Sequence, residues 1–192
     1  MAAADDHERL IKVIKRSKET TSTYALYVWN TIKQPGKPTT EEWSAEFHSG
    51  FLHRVETPRD RVIANCLAMT GTWMSVTTGE KFSGASVAQS ACGIDSNNQI
   101  VDAAYLGRFA GDYSMVDRIR LVDQSNIRTY DVSDEGIIMR TSYSAKGGET
   151  DRGLSSFARQ VDHSLPSEDI FSEASLTASA VPDAYQKAPV RR

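Results

Sequence analysis

Three consecutive segments between residues 116 and 143 alternate apolar and polar side chains, and two short polar turns separate them. An alternation with a period of two residues is typical of a β-strand that buries one face. The turns, at residues 123–126 and 133–136, have the length of tight hairpin connections. This part of the chain therefore predicts a three-stranded antiparallel meander.

Two-residue hairpin loops would determine which residues of the meander face each other. With such loops Ile119 lies opposite Tyr130, and Tyr130 lies opposite Met139. Val132 then lies opposite Ile137, so this face is mostly apolar and is predicted to be the core side. Neither turn contains the Asn-Gly pair that favours the tightest hairpins, so a longer loop with a bulge is the alternative.

The other face of the predicted meander carries arginine side chains. Arg118 lies opposite Asp131, whereas Arg120 and Arg140 lie on either side of Thr129. Guanidinium groups bind carboxylates and phosphates well, so Arg120 and Arg140 are candidate ligands for an anion. The alternative is that both are solvated residues on the open face of a one-sided sheet.

Helical and strand-like patterns alternate along the rest of the chain. The predicted helices are a long first helix over residues 5–33, a second one from about residue 39 that buries Trp43 and Phe47, and short ones at 85–91 and 154–161. The predicted strands lie at residues 52–56, 61–66 and 72–77, while residues 100–109 fit either state. The sequence thus predicts an α+β fold, in which a long N-terminal helix and short helices pack on one face of a curved antiparallel sheet.

The composition changes after residue 161. Residues 162–192 are rich in Ser, Ala, acidic residues and Pro, with isolated apolar residues between them. Such a segment buries little surface by itself and becomes ordered only when something holds it. We therefore expect one α+β domain over residues 1–161 and an extended tail over residues 162–192. The tail would pack on that domain or on a neighbouring subunit, and the second arrangement would make a homo-oligomer.

Charge and hydropathy narrow the class of protein. A formal net charge of -3 lacks the basic excess of most nucleic-acid-binding proteins, so no nucleic-acid partner is expected. No apolar run approaches the roughly 20 residues needed to cross a bilayer, so no membrane span is expected. Hydrophobic residues make up 40% of the 192 residues, which is enough for a packed core.

Cys66 and Cys92 are the only cysteines of the chain, and their spacing is neither that of a redox motif nor that of a zinc ribbon. They are predicted to form a structural disulfide, which belongs in an oxidising compartment; two buried thiols are the alternative. Residues 1–6 resemble what remains after a signal peptide is removed at a small side chain. The protein is therefore predicted to be periplasmic or secreted, with the cytoplasm as the alternative.

Candidate catalytic residues are few. His48 and His53 are the candidates for a general base, with Glu46 or Glu56 as the orienting partner. The alternative is a pair of half-buried histidines that cap the second predicted helix. No phosphate-binding glycine loop, Gly-x-Ser-x-Gly elbow or zinc-type spacing is present, so no cofactor and no metal is expected.

The leading hypothesis is a non-catalytic, extracytoplasmic domain that binds or senses a small molecule. Its ligand would lie between the sheet and the helices, in contact with Trp43, Trp73 and Tyr130. Arg120 or Arg140 would lie beside the ligand if it is anionic.

Two alternatives remain open. The first is a small pocket enzyme (a lyase, isomerase or hydrolase) that uses His48 or His53 on a cone-shaped fold of helices on a curved sheet, and it rests on an analogy of fold alone. The second is a structural subunit whose C-terminal arm holds a neighbour. Whether the chain is an enzyme is therefore left undecided by its sequence.

Overall fold

A computed structural model describes residues 2–94, 99–147 and 152–189 of the chain. The α-helices in this part of the chain are α1, Ala2–Lys18, and α2, Ala85–Ala91. The strands are β1 Tyr24–Lys33, β2 Thr40–Ser49, β3 Leu52–Glu56, β4 Asp60–Asn65, β5 Thr70–Ser75, β6 Lys81–Ser83, β7 Asp102–Ala110, β8 Met115–Val122, β9 Asn126–Ser133, β10 Ile138–Ala145 and β11 Gly153–Asp162. Two short 3-10 helices, Glu168–Phe171 and Glu173–Thr177, follow the last strand.

The eleven strands of the described residues form one antiparallel sheet in the order β6-β5-β4-β3-β2-β1-β11-β10-β9-β8-β7. The α+β class and the antiparallel sheet predicted from the sequence are thereby confirmed. The chain divides into two compact units. Unit 1 comprises Met1–Thr20, Asn30–Thr40 and Gly93–Phe157, and unit 2 comprises Thr21–Trp29, Glu41–Cys92 and Ala158–Arg192.

Three predicted helical segments are strands instead. The first helix ends at Lys18, and residues 24–29 belong to β1. All six of these residues are buried, and a strand that is buried on both faces shows no alternation to distinguish it from a buried helix. The segment after residue 39 is β2, in which Ala45 and Phe47 are buried two residues apart. Residues 154–161 belong to β11 for the same reason of two-residue spacing.

The first hairpin of the meander has the predicted register. Ile119 pairs with Tyr130 and Arg118 with Asp131. Asp123 donates its backbone N–H to the carbonyl oxygen of Asn126, which closes the predicted two-residue loop.

The second hairpin differs from its prediction. Tyr130 pairs with Thr141 rather than Met139, and Val132 pairs with Ile138 rather than Ile137. The Ser133 N–H donates to the carbonyl oxygen of Ile137, so residue 137 still belongs to the loop. The register of the two strands shifts between Ile138 and Arg140. This is the longer loop with a bulge that was the alternative predicted from the sequence.

In unit 1 the helix α1 covers the apolar face of the meander. Leu10 and Val13 of α1 belong to one buried cluster with Ile119, Leu121 and Val132. These helical residues are three apart and so lie on one side of the helix, where they meet the alternate residues of the strands. The predicted packing of an N-terminal helix on the meander is therefore present, although the helix is shorter than expected.

Two glycines allow the backbone to pass close to α1. A Cβ atom at Gly93 would lie 2.7 Å from the carbonyl oxygen of Ser17, and one at Gly136 would overlap the carbonyl oxygen of Arg16. Both glycines also have positive φ angles, 69° and 86°, which side chains disfavour. Close packing of α1 at both places therefore depends on glycine.

In unit 2 the C-terminal tail is held by a buried ion pair. Arg54 is 1% exposed, and its Nε donates to Glu56 Oε1 over 2.7 Å. The remaining guanidinium N–H groups donate to the tail, at the carbonyl oxygens of Ile170, Ser175 and Ala178 and at the hydroxyl of Ser175. The charge of Arg54 is thus neutralised and its donors are satisfied without water.

The carboxylate of Glu56 completes this attachment. Glu56 is fully buried and accepts the backbone N–H of Ala180 over 2.9 Å and the hydroxyl of Ser179 over 2.7 Å. Arg61, a third member, donates to the carbonyl oxygen of Leu176 over 2.7 Å. The tail therefore packs on its own chain through side chains of β3 and β4.

Cys66 and Cys92 form a disulfide with a Cα–Cα distance of 5.6 Å. The bond joins the loop after β4 to the end of α2, and it confirms the pairing predicted from the sequence.

Replacement of Arg54 by alanine is expected to lower the free energy of unfolding by about 3–5 kcal/mol, because Glu56 would stay buried without its partner. Urea denaturation followed by circular dichroism measures the change. Arg59→Ala is the matched control, since the Arg59–Glu42 ion pair is exposed on the arginine side and is expected to contribute less than about 1 kcal/mol. Equal effects of the two variants would show that Arg54 does not hold the tail.

Replacement of both Cys66 and Cys92 by alanine is expected to lower the free energy of unfolding by roughly 3 kcal/mol, since the bond closes a loop across a sequence separation of 26 residues. Reductant should destabilise the natural chain to the same level and leave the double variant unchanged. A natural chain that is insensitive to reductant at every urea concentration would contradict the prediction.

Candidate functional site

A cavity of about 450 Å³ opens in unit 1 where four strands begin or end. The strands β1 and β10 end there, and the strands β9 and β11 begin there. The residues that line the cavity are Thr31, Lys33, Ile127, Tyr143, Ser144, Ala145, Arg152, Gly153, Leu154 and Ser155. We call this space the strand-end cavity.

The register of the sheet explains the space. Ser144 pairs with Ile127 on one side and with Gly153 on the other, so these three residues share one face of the sheet. Ser144 has a short side chain and Gly153 has none. A Cβ atom at position 153 would lie 2.7 Å from the carbonyl oxygen of Tyr143. The close backbone contact at Gly153 admits no side chain and Ser144 has a short one, so the space beside these strand ends stays open.

The lining combines apolar and cationic groups. Ile127, Ala145 and Leu154 supply aliphatic surface, and Lys33 and Arg152 are exposed cations of the lining. Among the described residues no Asp or Glu lines the cavity, and neither cation forms an ion pair with a carboxylate. The arrangement suits a molecule with an apolar body and an anionic group.

A second cavity of about 620 Å³ shares Tyr143 with the first but is polar. Asp123 and Arg128 line it and are bonded to each other over 2.6 Å. The hydrogen bond from Arg128, together with the backbone N–H groups of Ser125 and Asn126, holds the pKa of Asp123 well below its usual range. The charges of this cavity are therefore already paired within the protein.

The predicted catalytic histidines belong to unit 2 and do not line the strand-end cavity. His48 and His53 face each other across β2 and β3, and their ring centroids are 5.3 Å apart. His48 donates from Nδ1 to the carbonyl oxygen of Ser22 over 2.9 Å and stacks on Tyr24. The residues between the histidines form a tight hairpin, so the helix that they were expected to cap is absent there.

The environment of His48 disfavours a positive charge. Both residues are at most 5% exposed. Burial, and then the neighbouring His53, lower the pKa of His48 to about 4, so the imidazole is neutral at pH 7. His53 Nε2 lies 3.6 Å from Glu46 Oε2, and among the described residues neither ring nitrogen of His53 has a hydrogen-bond partner. Glu56, the other expected partner, is bonded to Arg54 instead.

The aromatic residues predicted to contact a ligand occupy different places. Trp43 packs against a buried cluster of unit 2 that contains Phe47. Trp73, also in unit 2, donates its indole N–H to Asp60 over 3.1 Å. Tyr130 packs against the α1-covered cluster of unit 1. Not one of the three aromatic residues lines the strand-end cavity.

The predicted anion-binding arginines lie on the other face of the meander from Tyr130. Arg120 pairs with Thr129, the neighbour of Tyr130, and donates to Asp102 over 2.7 Å. Arg140 pairs with Asp131 and is exposed. Tyr130 and these arginines therefore face opposite sides of the sheet.

The sequence pattern did not point to the strand-end cavity. Its lining combines three consecutive strands, β9, β10 and β11, with β1, which lies far from them in the chain. Its small side chains resemble those of ordinary turns. Two serines that flank Tyr143 at the end of an alternating segment were the only local sign. The described residues also contain no group of three or more His, Cys, Asp or Glu placed to hold a metal ion.

No protein-family profile matches the chain, and no curated protein matches its sequence. Several solved structures are similar in fold. An uncharacterized conserved protein from Thermus thermophilus is 10% identical, with a TM-score of 0.54 over 94% of this chain and 96% of that one. PNGF-II is 11% identical, with a TM-score of 0.52 over 79% of this chain and 30% of that one.

A LolA superfamily protein from Nitrosomonas europaea is 7% identical, with a TM-score of 0.45 over 86% of this chain and 98% of that one. That score is too low to support an argument. The two higher scores show a shared fold alone, because the identities are far too low to carry an activity across. No helix among the described residues is long and apolar enough to cross a membrane.

The depressed pKa of His48 predicts a pH-dependent stability. The His48 side chain takes up a proton near pH 6.5 in the unfolded chain, but only near pH 4 in the folded chain. The unfolded state therefore binds more protons in between, and the free energy of unfolding should fall by about 3 kcal/mol as the pH falls through this window.

Urea denaturation between pH 7 and pH 4 measures this dependence. His48→Phe keeps an aromatic ring beside Tyr24 but cannot titrate, so its stability should vary less with pH. His7→Gln, at an exposed position of α1, should keep the dependence of the natural chain. Parallel pH profiles for His48→Phe and the natural chain would disprove the assignment to His48.

Proposed function

We propose that the protein is a non-catalytic, extracytoplasmic binding module whose ligand is a small amphipathic molecule with an anionic group. The ligand lies in the strand-end cavity, with its apolar part on Ile127 and Leu154 and its anionic group beside Lys33 and Arg152. The observation that carries this proposal is the combination of an apolar cavity of about 450 Å³ with two cations that have no acidic partner among the described residues.

The volume of the cavity supports a small ligand. Sites for small molecules are concave, mostly apolar and provided with a few polar groups that orient the ligand, and they enclose roughly 300–1,000 Å³. The hydroxyls of Thr31, Ser144 and Ser155 supply such groups. A guanidinium and an ammonium beside them favour a carboxylate, sulfonate or phosphate.

The chemistry of the lining favours binding over catalysis. General acid–base chemistry needs a titratable group near the operating pH within hydrogen-bonding reach of the substrate. Within residues 2–94, 99–147 and 152–189, no His, Cys, Asp or Glu lines the strand-end cavity. His48 and His53, the groups with the right chemistry, are buried in unit 2 and do not line it.

The disulfide supports an extracytoplasmic location. Stable disulfides form and persist in oxidising compartments such as the periplasm and the extracellular space. Cys66 and Cys92 are bonded to each other, and neither lines the strand-end cavity.

Binding is tested by fluorescence titration with 1-anilinonaphthalene-8-sulfonate and with a fluorescent fatty acid. Lys33→Glu and Arg152→Glu are each expected to weaken binding roughly tenfold, because each replaces a charge-assisted hydrogen bond by repulsion. Ser144→Trp is expected to abolish binding by filling the cavity. Lys37→Glu is the matched control, since Lys37 is an exposed lysine of the turn after β1 and does not line the cavity.

The same variants test whether the ligand binds in the strand-end cavity. Saturable binding that is unaffected by Lys33→Glu, Arg152→Glu and Ser144→Trp would place the ligand elsewhere. An absence of binding by either probe to the natural chain would contradict the proposed ligand class.

A further inference from the structure

Four large apolar side chains are exposed together at one end of unit 2. Phe51 is 41% exposed, Leu52 39%, Leu67 70% and Met69 38%. Phe51 lies in the loop between β2 and β3, and Leu52 begins β3; Leu67 and Met69 lie in the loop between β4 and β5, which emerges at the same end of the sheet. We call these four residues the apolar tip. A cluster of this kind marks a site of contact with a partner or a membrane.

The two loops of the apolar tip are fastened to each other. The N–H of Cys66 donates to the carbonyl oxygen of Phe51 over 2.8 Å, and Leu52 pairs with Asn65. The disulfide to Cys92 attaches the second loop to the end of α2. The tip is therefore a preorganised surface.

Two backbone N–H groups at the centre of the second loop are bonded within the chain. Asn65 Oδ1 accepts the N–H of Leu67 over 3.1 Å and the N–H of Ala68 over 2.9 Å. Backbone groups that enter an apolar medium must be satisfied internally, because no water is available there. A protein partner imposes no such requirement, since it offers acceptors of its own.

The backbone conformation of Met69 also supports a contact of the apolar tip with a partner outside the chain. Met69 has a φ angle of 51°, a left-handed conformation that Gly and Asn adopt at lower cost. Its side chain is nevertheless exposed rather than buried in a core. Packing within the chain therefore does not account for a large apolar residue at this position.

The segments around the apolar tip carry no charged residue. Residues 47–53, 62–79 and 82–94 contain no Asp, Glu, Lys or Arg. Protein interfaces normally surround their apolar centre with a polar and charged rim. The segments that carry the tip have no charged rim of their own, so they enter a low-dielectric layer without the desolvation penalty of an ion.

A recess continues the apolar tip into unit 2. Leu52 and Met69 also line a cavity of about 540 Å³, to which Ile63 and Phe171 contribute further apolar surface. Glu173 lines it as well, and its carboxylate accepts the hydroxyl of Thr72 over 3.0 Å. A lipid layer in contact with the tip would therefore also lie at the mouth of this recess.

We propose that the apolar tip docks the protein on the surface of a lipid bilayer, by shallow insertion of Phe51, Leu52, Leu67 and Met69. The contact is reversible and needs no anionic lipid, because the tip has no cations to attract one. This proposal is independent of the strand-end cavity, which lies in unit 1.

Flotation of the full chain with phosphatidylcholine vesicles tests the proposal. The natural chain should float with neutral vesicles at both low and high salt. Phe51→Glu and Leu67→Glu should each lower the partition coefficient about tenfold or more, because each carries an ionised group into the interface. Val76→Glu is the matched control: Val76 is 37% exposed, follows the far end of β5 and should leave partitioning unchanged.

Circular dichroism verifies that each variant is folded, and Leu67→Ser replaces any variant that is not. Three results would overturn the proposal. In the first, the natural chain does not float with the vesicles. In the second, the tip variants float as well as Val76→Glu does. In the third, the chain binds only anionic vesicles, and salt abolishes this binding. Sedimentation velocity measures whether the tip variants self-associate less or more than the natural chain. If they do, and the natural chain does not bind vesicles, the tip contacts a second copy of the chain instead.

Discussion

The buried side chain of Arg54 determines where the tail lies between Ile170 and Ala178, since four of its five hydrogen bonds end on that segment. A buried guanidinium is tolerated only when every donor is satisfied and the charge is balanced. Glu56 balances it, and backbone carbonyl oxygens of the tail satisfy the rest. The tail in turn brings Ile170 and Val181 over Tyr27 and Phe47. A polar interaction thus decides which apolar surfaces of unit 2 are covered.

That covering explains why part of the fold is hard to predict. A strand with one open face is recognisable from its sequence because apolar and polar residues alternate along it, as they do in β8. Residues 24–29 are buried on both faces, so their apolar run has no period and resembles a buried helix. Trp43 and Phe47 are four residues apart, which suits a helix. Ala45, which lies between them, is as fully buried as Phe47, and these two residues have the two-residue spacing of a strand. A small residue at the deciding position conceals the strand pattern.

The two proposed interaction surfaces arise from the ends of strands rather than from their middles. At the strand-end cavity, Ser144 and Gly153 are too small to fill the space between neighbouring strands. At the apolar tip, Phe51 and Leu67 extend from two loops that are hydrogen-bonded to each other. Strand middles are constrained by packing on both sides, whereas loops and strand ends are free to carry binding groups.

The sequence by itself determined the α+β class, the first hairpin of the meander, α2 and the disulfide between Cys66 and Cys92, because each depends on local periodicity, a local turn or a pair of unique residues. Only the tertiary structure decided the order of the strands, the path of the tail and the residues that line the strand-end cavity. Lys33 and Arg152 are more than a hundred residues apart, and nothing near either one signals the other. Contacts of that kind are set by the global packing of strands, which local patterns do not encode.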